Sequence, residues 1–416
     1  MYTKPFLLFS SAVLCILLFT SALNAQTLDS FFPNINGNVF SYAVQADGKV
    51  IVRGSFTSID GTAISKLARI NTNGTLDTAF MPVLNGDVYC IVVQSNGQII
   101  IGGGFSTVGA TTRYSLARLN SDGTLDTSFD PNADGDVASI TIDSSNKILI
   151  GGHFQNVGGT SRNRIARLNY DGTLDSSFNP NADDAVEAMA IQTNNQIVIA
   201  GRFNLVGATT RNSLARLNSD GSLDGTFDPN ANDKSEGIAI QTDGKIIVTG
   251  AFTTIGGTTR NRIARLNIDG SLDTAFDPNA NNEVFSPFIQ SDGKILIGGG
   301  FTQIGSSSFS YAARLNTDGT VDTSFNPDPN NWVAQITILA DGRILLAGMF
   351  TQVGSTARNY MAQFTSSTPP ATGGGGGDDD DDGCASSNGK STSLLFLMLL
   401  SSLIMVRRRR ASYSNK

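Results

Sequence analysis

Glu236-Gly237-Ile238-Ala239-Ile240-Gln241-Thr242-Asp243-Gly244-Lys245-Ile246-Ile247-Val248-Thr249-Gly250-Ala251-Phe252 is the stretch that decides the fold. It reads as a β-strand, a tight Asp-Gly turn and a second, β-branched strand ending in Gly-x-Phe. That ending recurs at Gly54-Ser55-Phe56, Gly103-Gly104-Phe105, Gly152-His153-Phe154, Gly201-Arg202-Phe203, Gly299-Gly300-Phe301 and Gly348-Met349-Phe350, always 49 residues apart. A fixed period of this size marks a propeller or a solenoid.

The unit before residue 132 shows the remaining strands. Residues 88–94 form the first, Asn96-Gly97 predicts a type I′ hairpin, and residues 98–105 form the second. A loop through Gly109 and Arg113 leads to a third strand at 115–120. Asp122-Gly123 turns the chain into a short fourth strand over Leu125–Phe129, and Pro131-Asn132 breaks the pattern. Four antiparallel strands repeated seven times predict an all-β, seven-bladed β-propeller. The seventh unit stops at Phe364 without a Leu-Asp-x-x-Phe strand, and Thr27-Leu28-Asp29-Ser30-Phe31-Phe32-Pro33 carries one. The first strand is therefore expected to complete the last blade and cover its edge. A solenoid would need polar caps, and the sequence offers none.

Composition narrows the function. The chain has 416 residues, a net charge of -7, one His and three Cys. These counts exclude a His/Cys zinc cluster and a disulfide scaffold. The negative charge excludes a nucleic-acid binder that relies on net positive charge. No metal site, cofactor or catalytic set is expected. The Asp378–Asp382 run reads as a solvated spacer rather than a calcium cage.

The ends read as address labels. Residues 1–25 form a signal peptide, with Lys4, an apolar run and a cleavage position after Ala25. Residues 26–366 form the propeller and 367–383 a disordered Pro/Gly/Asp linker. Residues 384–416 hold Cys384, a short apolar segment at 394–406 and Arg407–Arg410, with Gly383 just before. That segment spans about 20 Å as a helix, short of the ~30 Å bilayer core. The tail resembles the tripartite C-terminal sorting signals of Gram-negative bacteria, the GlyGly-CTERM group and its Cys-containing relatives of the MYXO-CTERM type. The resemblance implies export, an intramembrane sorting protease, and a protein anchored at the cell surface or outer membrane, or secreted.

The body, about residues 27–365, resembles the delta-60 repeat of bacterial exported β-propellers. The pattern is carried by Asp243-Gly244-Lys245-Ile246, Arg265-Leu266-Asn267 and Leu272-Asp273-Thr274-Ala275-Phe276 and their counterparts in the other units. The resemblance implies a fold and an extracytoplasmic setting, and brings no catalytic residues.

Residues present in every unit read as scaffold. The Gly-x-Phe phenylalanines and a second set (Phe80, Phe129, Phe178, Phe227, Phe276, Phe325) are expected between sheets. Thirteen residues after six of the seven Gly-x-Phe phenylalanines stands an Arg, with Gln363 at the seventh position, and each Arg has an Asp eight residues further on, which predicts a structural ion pair. Cys90 fills a small-residue slot and His153 reads as incidental. Function is expected where the repeat breaks, at the connection into each first strand. There one position carries Asn38, Asp87, Asp136, Ala185, Lys234, Glu283 and Trp332; two residues on stand Phe40, Tyr89, Ala138, Glu187, Glu236, Phe285 and Ala334. Phe40, Tyr89, Phe285 and Trp332 suggest an aromatic recognition patch at the channel mouth. Glu187, Glu236 and Glu283 complete the candidate site. The expected role is a non-catalytic binding or structural module, monomeric, for a protein or glycan at the cell surface. The alternative is a hydrolase or lyase using the mouth carboxylates, Asp87 and Asp136 included.

Overall fold

The computed structural model describes residues 27–31 and 33–365. The signal peptide, linker and tail readings, with Ala25, Gly383 and Cys384, lie outside those residues. No helix long and apolar enough to cross a membrane occurs among the described residues.

Each unit is one antiparallel blade. In the second blade the inner strand Val88–Val93 pairs with Ile99–Gly103, which pairs with Leu116–Leu119. The middle strand is buried along its whole length. It is covered on both faces by neighbouring blades, so its sequence is a continuous apolar run rather than an alternation. A small hairpin, Thr107–Val108 with Thr111–Thr112, sits between the second and third strands.

Two local expectations are corrected. Gly97 is at φ 84° and Asn96 is not in the left-handed region, so the turn is not type I′. Gly97 N–H donates to Gln94 O, and Gln94 N–H to Gln98 O, which is a type I turn closed by a left-handed residue. Only that last residue needs positive φ, so Asn146 and Asn195 take its place in blades 3 and 4. The fourth strand is also shorter than Leu125–Phe129. Leu125 bridges Leu119 and Asp126 N–H donates to Arg118 O, after which the chain curls away. The cause is Asp126, whose carboxylate accepts from Ser128 N–H and turns the backbone.

Seven apolar clusters of buried residues lie at the seams, each drawing on two neighbouring blades. Both phenylalanine sets sit in them at 0–2 % exposure. The seam between blades 7 and 1 is likewise apolar, with Leu345, Ala347 and Met361 against Val39, Val52 and Phe56. Around it, Leu28 bridges Phe364 and Asp29 N–H donates to Gln363 O.

The recurring arginine does more than pair with its aspartate. Arg167 Nε is 2.8 Å from Asp175 Oδ2, its guanidinium lies 4.5 Å from the centre of Phe178, and Nη1 reaches Ser219 O in the next blade. One side chain thus joins an ion pair, a ring face worth about 0.5–2 kcal/mol and a bond across the seam. Asp175 is held well below the usual carboxylate range. Burial opposes this, but bonds from Lys147, Ser177 and Arg167 outweigh it.

Candidate functional site

Every inner strand contains one residue too many. In blade 2, Val88 faces Gly103 and Cys90 faces Gly102, which leaves Tyr89 as the extra residue of a β-bulge. The same slip occurs in all seven blades, and the extra residues are Phe40, Tyr89, Ala138, Glu187, Glu236, Phe285 and Ala334. A bulge re-aims the side chain it carries. The variable positions singled out in the sequence are therefore the positions this backbone turns away from the repeat.

The bulge also explains the glycine of Gly-x-Phe. A Cβ on Gly201 would stand 2.0 Å from Ala185 O, and one on Gly103 would stand 2.0 Å from Asp87 O. Only glycine tolerates that approach. The same oxygen accepts from the amide of the x residue, as in Arg202 N–H to Ala185 O at 3.0 Å. Three slots thus meet at each blade's rim: the residue before the inner strand, the bulge residue and the x residue.

Blades 4 to 6 make the rim charged. Arg202 Nε donates to Glu187 Oε1 at 2.6 Å. Lys234 Nζ donates to Glu236 Oε1 and lies 3.3 Å from Glu283 Oε1. Glu187 is 0 % exposed and Glu236 3 % exposed, so both carboxylates stand behind their cations. The Oε2 atoms of both are buried and have no hydrogen-bond partner among the described residues. Burial pushes Glu236 up to about 7; Lys234 opposes this, and Glu187 and Glu283 add to it. Beside Arg202 and Lys234 lies a cavity of about 410 Å³, lined also by Asn204, Asn212, Ser213 and Asp233.

Blades 6, 7, 1 and 2 carry the aromatics. Trp332 and Phe285 lie with ring centres 5.6 Å apart and planes tilted by 49°. Phe285 is buried, while Phe40, Tyr89 and Trp332 are half-buried. Trp332 covers Gly300, where an added Cβ would stand 3.1 Å from its indole. Tyr89 and Asp136 converge over Gly104 in the same way. Burial raises the Asp136 carboxyl, His153 opposes it and Asp87 adds to it. Asp87 itself pairs with Lys66 at 2.5 Å.

The structure thus gathers the candidate residues at one end of the ring in two groups. Glu187, Glu236 and Glu283 share one side, and Phe285 and Trp332 touch. Phe40 has no ring contact with the other three. Sequence reasoning missed Arg202, and the available signal was the x of Gly-x-Phe, a variable residue inside an otherwise fixed motif. No metal-holding group of three or more His, Cys, Asp or Glu occurs among the described residues.

The fold and its rim define a seven-bladed repeat β-propeller. The chain belongs to the family described as a beta-propeller domain of unknown function, DUF5122, which matches residues 45–80, 94–129, 144–178, 192–227, 241–276, 290–325 and 339–367. No curated protein matches the sequence. Among solved structures it is similar to the WD40 propeller domain of Doa1, at 13 % identity and TM-score 0.55, covering 82 % of this chain and 97 % of that one. It is also similar to a streptogramin B lyase, at 17 % identity and TM-score 0.51, covering 82 % and 96 %. Virginiamycin B lyase from Staphylococcus aureus matches at 15 % identity and TM-score 0.53, covering 79 % and 94 %. At these identities the likeness is one of fold.

Proposed function

We propose that the protein is an exported, surface-associated binding module whose rim recognises a hydroxyl-rich ligand of the glycan class without transforming it. One observation carries the reading. Unrepeated charges and aromatics occupy five of the seven bulges of one rim, and a polar cavity opens beside the charged ones. Buried carboxylates such as Glu187 and Glu236 are costly to a scaffold, and the other blades manage with Phe, Tyr or Ala at that slot. Amide, hydroxyl and carboxylate groups in the cavity match sugar hydroxyls, and the half-buried Trp332 offers a ring face. Export rests on the reading of residues 1–25 and 384–416 as addresses.

A glycan array probed with the exported protein tests this. Binding that weakens in Trp332→Ala is expected. Equal binding by both removes the aromatic half of the site, and an array with no bound glycan overturns the reading. Mass spectrometry of the mature protein tests processing, since retained residues beyond Arg410 speak for a plain anchor.

A second reading is a hydrolase or lyase with Glu236 as proton donor. Its support is the Glu236 carboxyl, which burial pushes up to about 7 at the rim. Two of the similar folds are lyases by name. Bound glycans that emerge cleaved, with cleavage lost in Glu236→Gln, would favour it.

A further inference from the structure

Building on the glycan-binding reading, we propose that the cavity between blades 4 and 5 holds the carboxylate of an acidic sugar, with Arg202 as its fork and Lys234 beside it. What a ligand meets first is decided by which groups are accessible. The carboxylates Glu187 and Glu236 are buried with their free oxygens. The Arg202 side chain is 40 % exposed and the Lys234 side chain 20 %. Both cations line the cavity. The charged groups offered to a ligand are therefore two cations and one exposed carboxylate, Asp233 at the rim, whose Oδ1 accepts from Lys234 N–H.

Arg202 is also braced. Its Nε is committed to Glu187, which fixes the plane of the guanidinium. The two Nη groups are left for a partner, and their geometry matches a carboxylate in two parallel bonds. Lys234 is braced in the same manner by the bulge carboxylate of its own blade, Glu236. In both blades the unrepeated cation and the unrepeated glutamate come together, and no other blade has either pair. A scaffold has no use for two buried acids whose main effect is to aim two cations at one cavity. Ala231 and the polar Ser213, Asn204, Asn212, Asn232 and rim Asp233 complete the lining, and the polar groups suit the hydroxyls of the same ring. A volume of about 410 Å³ lies within the usual range for small-ligand pockets.

The neighbours of Glu236 add a pH signature. The groups facing it are Lys234, Glu187 and Glu283, and Arg202 interacts with it in turn. Protonating Glu236 leaves the Lys234 charge less compensated, so an anionic ligand gains as pH falls.

Calorimetric titration with trigalacturonate and with neutral galactotriose tests the assignment. The acidic trisaccharide is expected to bind at least tenfold more tightly, and severalfold more tightly at pH 6 than at pH 8. Arg202→Lys keeps a cation for Glu187 but removes the fork, and should erase the preference while unfolding normally in urea. Glu236→Gln should flatten the pH dependence. Equal affinities, a preference for the neutral sugar, or an Arg202→Lys protein that retains the preference would overturn the assignment while leaving glycan binding intact. An array on which no glycan binds would remove both.

Discussion

Replacing Gln335 by leucine should weaken the ring at one seam. Gln335 sits in the inner strand of blade 7 at 2 % exposure, in a slot that elsewhere holds Ser, Cys, Ala or Gly. Its Oε1 accepts from Tyr42 N–H at 2.9 Å and its Nε2 donates to Tyr42 O at 3.1 Å. Tyr42 belongs to the inner strand of blade 1 and is 3 % exposed. The amide side chain therefore plays the part of a peptide group and joins the first and last blades. Leucine keeps the volume and strands both backbone groups. Each stranded group costs about 1–3 kcal/mol, so the change should cost about 2–6 kcal/mol. That is a large share of the 5–15 kcal/mol typical of a folded domain. Gln363→Leu supplies the contrast. Gln363 is 1 % exposed, but its buried Oε1 has no partner among the described residues, so its loss should be neutral or mildly stabilising. Urea unfolding followed by circular dichroism and by the fluorescence of Trp332, the single tryptophan, reads both variants. Equal midpoints for the two variants would refute the reasoning, as would a Gln335→Leu loss below about 1 kcal/mol.

Further outcomes follow from the bulge and the ion pairs. Gly201→Ala drives a methyl into Ala185 O and should abolish folding or cost more than about 3 kcal/mol, whereas Gly225→Ala meets nothing within 4 Å and should unfold like the parent. Similar midpoints would contradict the bulge geometry. The six paired aspartates, Asp77, Asp126, Asp175, Asp224, Asp273 and Asp322, all titrate below the usual range, with Asp224 at about 2. Their native values lie below the unfolded value of about 4. Their stabilisation is therefore complete above pH ~4 and is lost as pH falls towards 2. A urea midpoint that stays level over that interval would show the pairs to be energetically idle.

The repeat was legible in the sequence because packing between identical neighbours demands identical residues. Each middle strand sees nearly the same two surfaces, so Ile99–Gly103 and four of its six counterparts are apolar throughout, Arg53 and Thr249 interrupting the other two at one position, and the two phenylalanine layers follow. The Arg–Asp pair was legible for a related reason: both partners lie in one hairpin, eight residues apart. The sequence also pointed to the variable rim, since positions 38, 87, 136, 185, 234, 283 and 332 escape the repeat.

Tertiary structure alone decided what those variable residues touch. The bulge depends on a backbone oxygen reaching the Gly-x-Phe glycine from another strand, and no local pattern announces that approach. Glu187 meets Arg202 fifteen residues away only because the slip turns its side chain towards the x slot. Tyr42 and Gln335 are 293 residues apart and become neighbours only when the ring brings the first and last blades side by side. Repeat identity is a one-dimensional property that a chain displays openly, while the pairing of its exceptions depends on curvature, which exists only once the blades are packed.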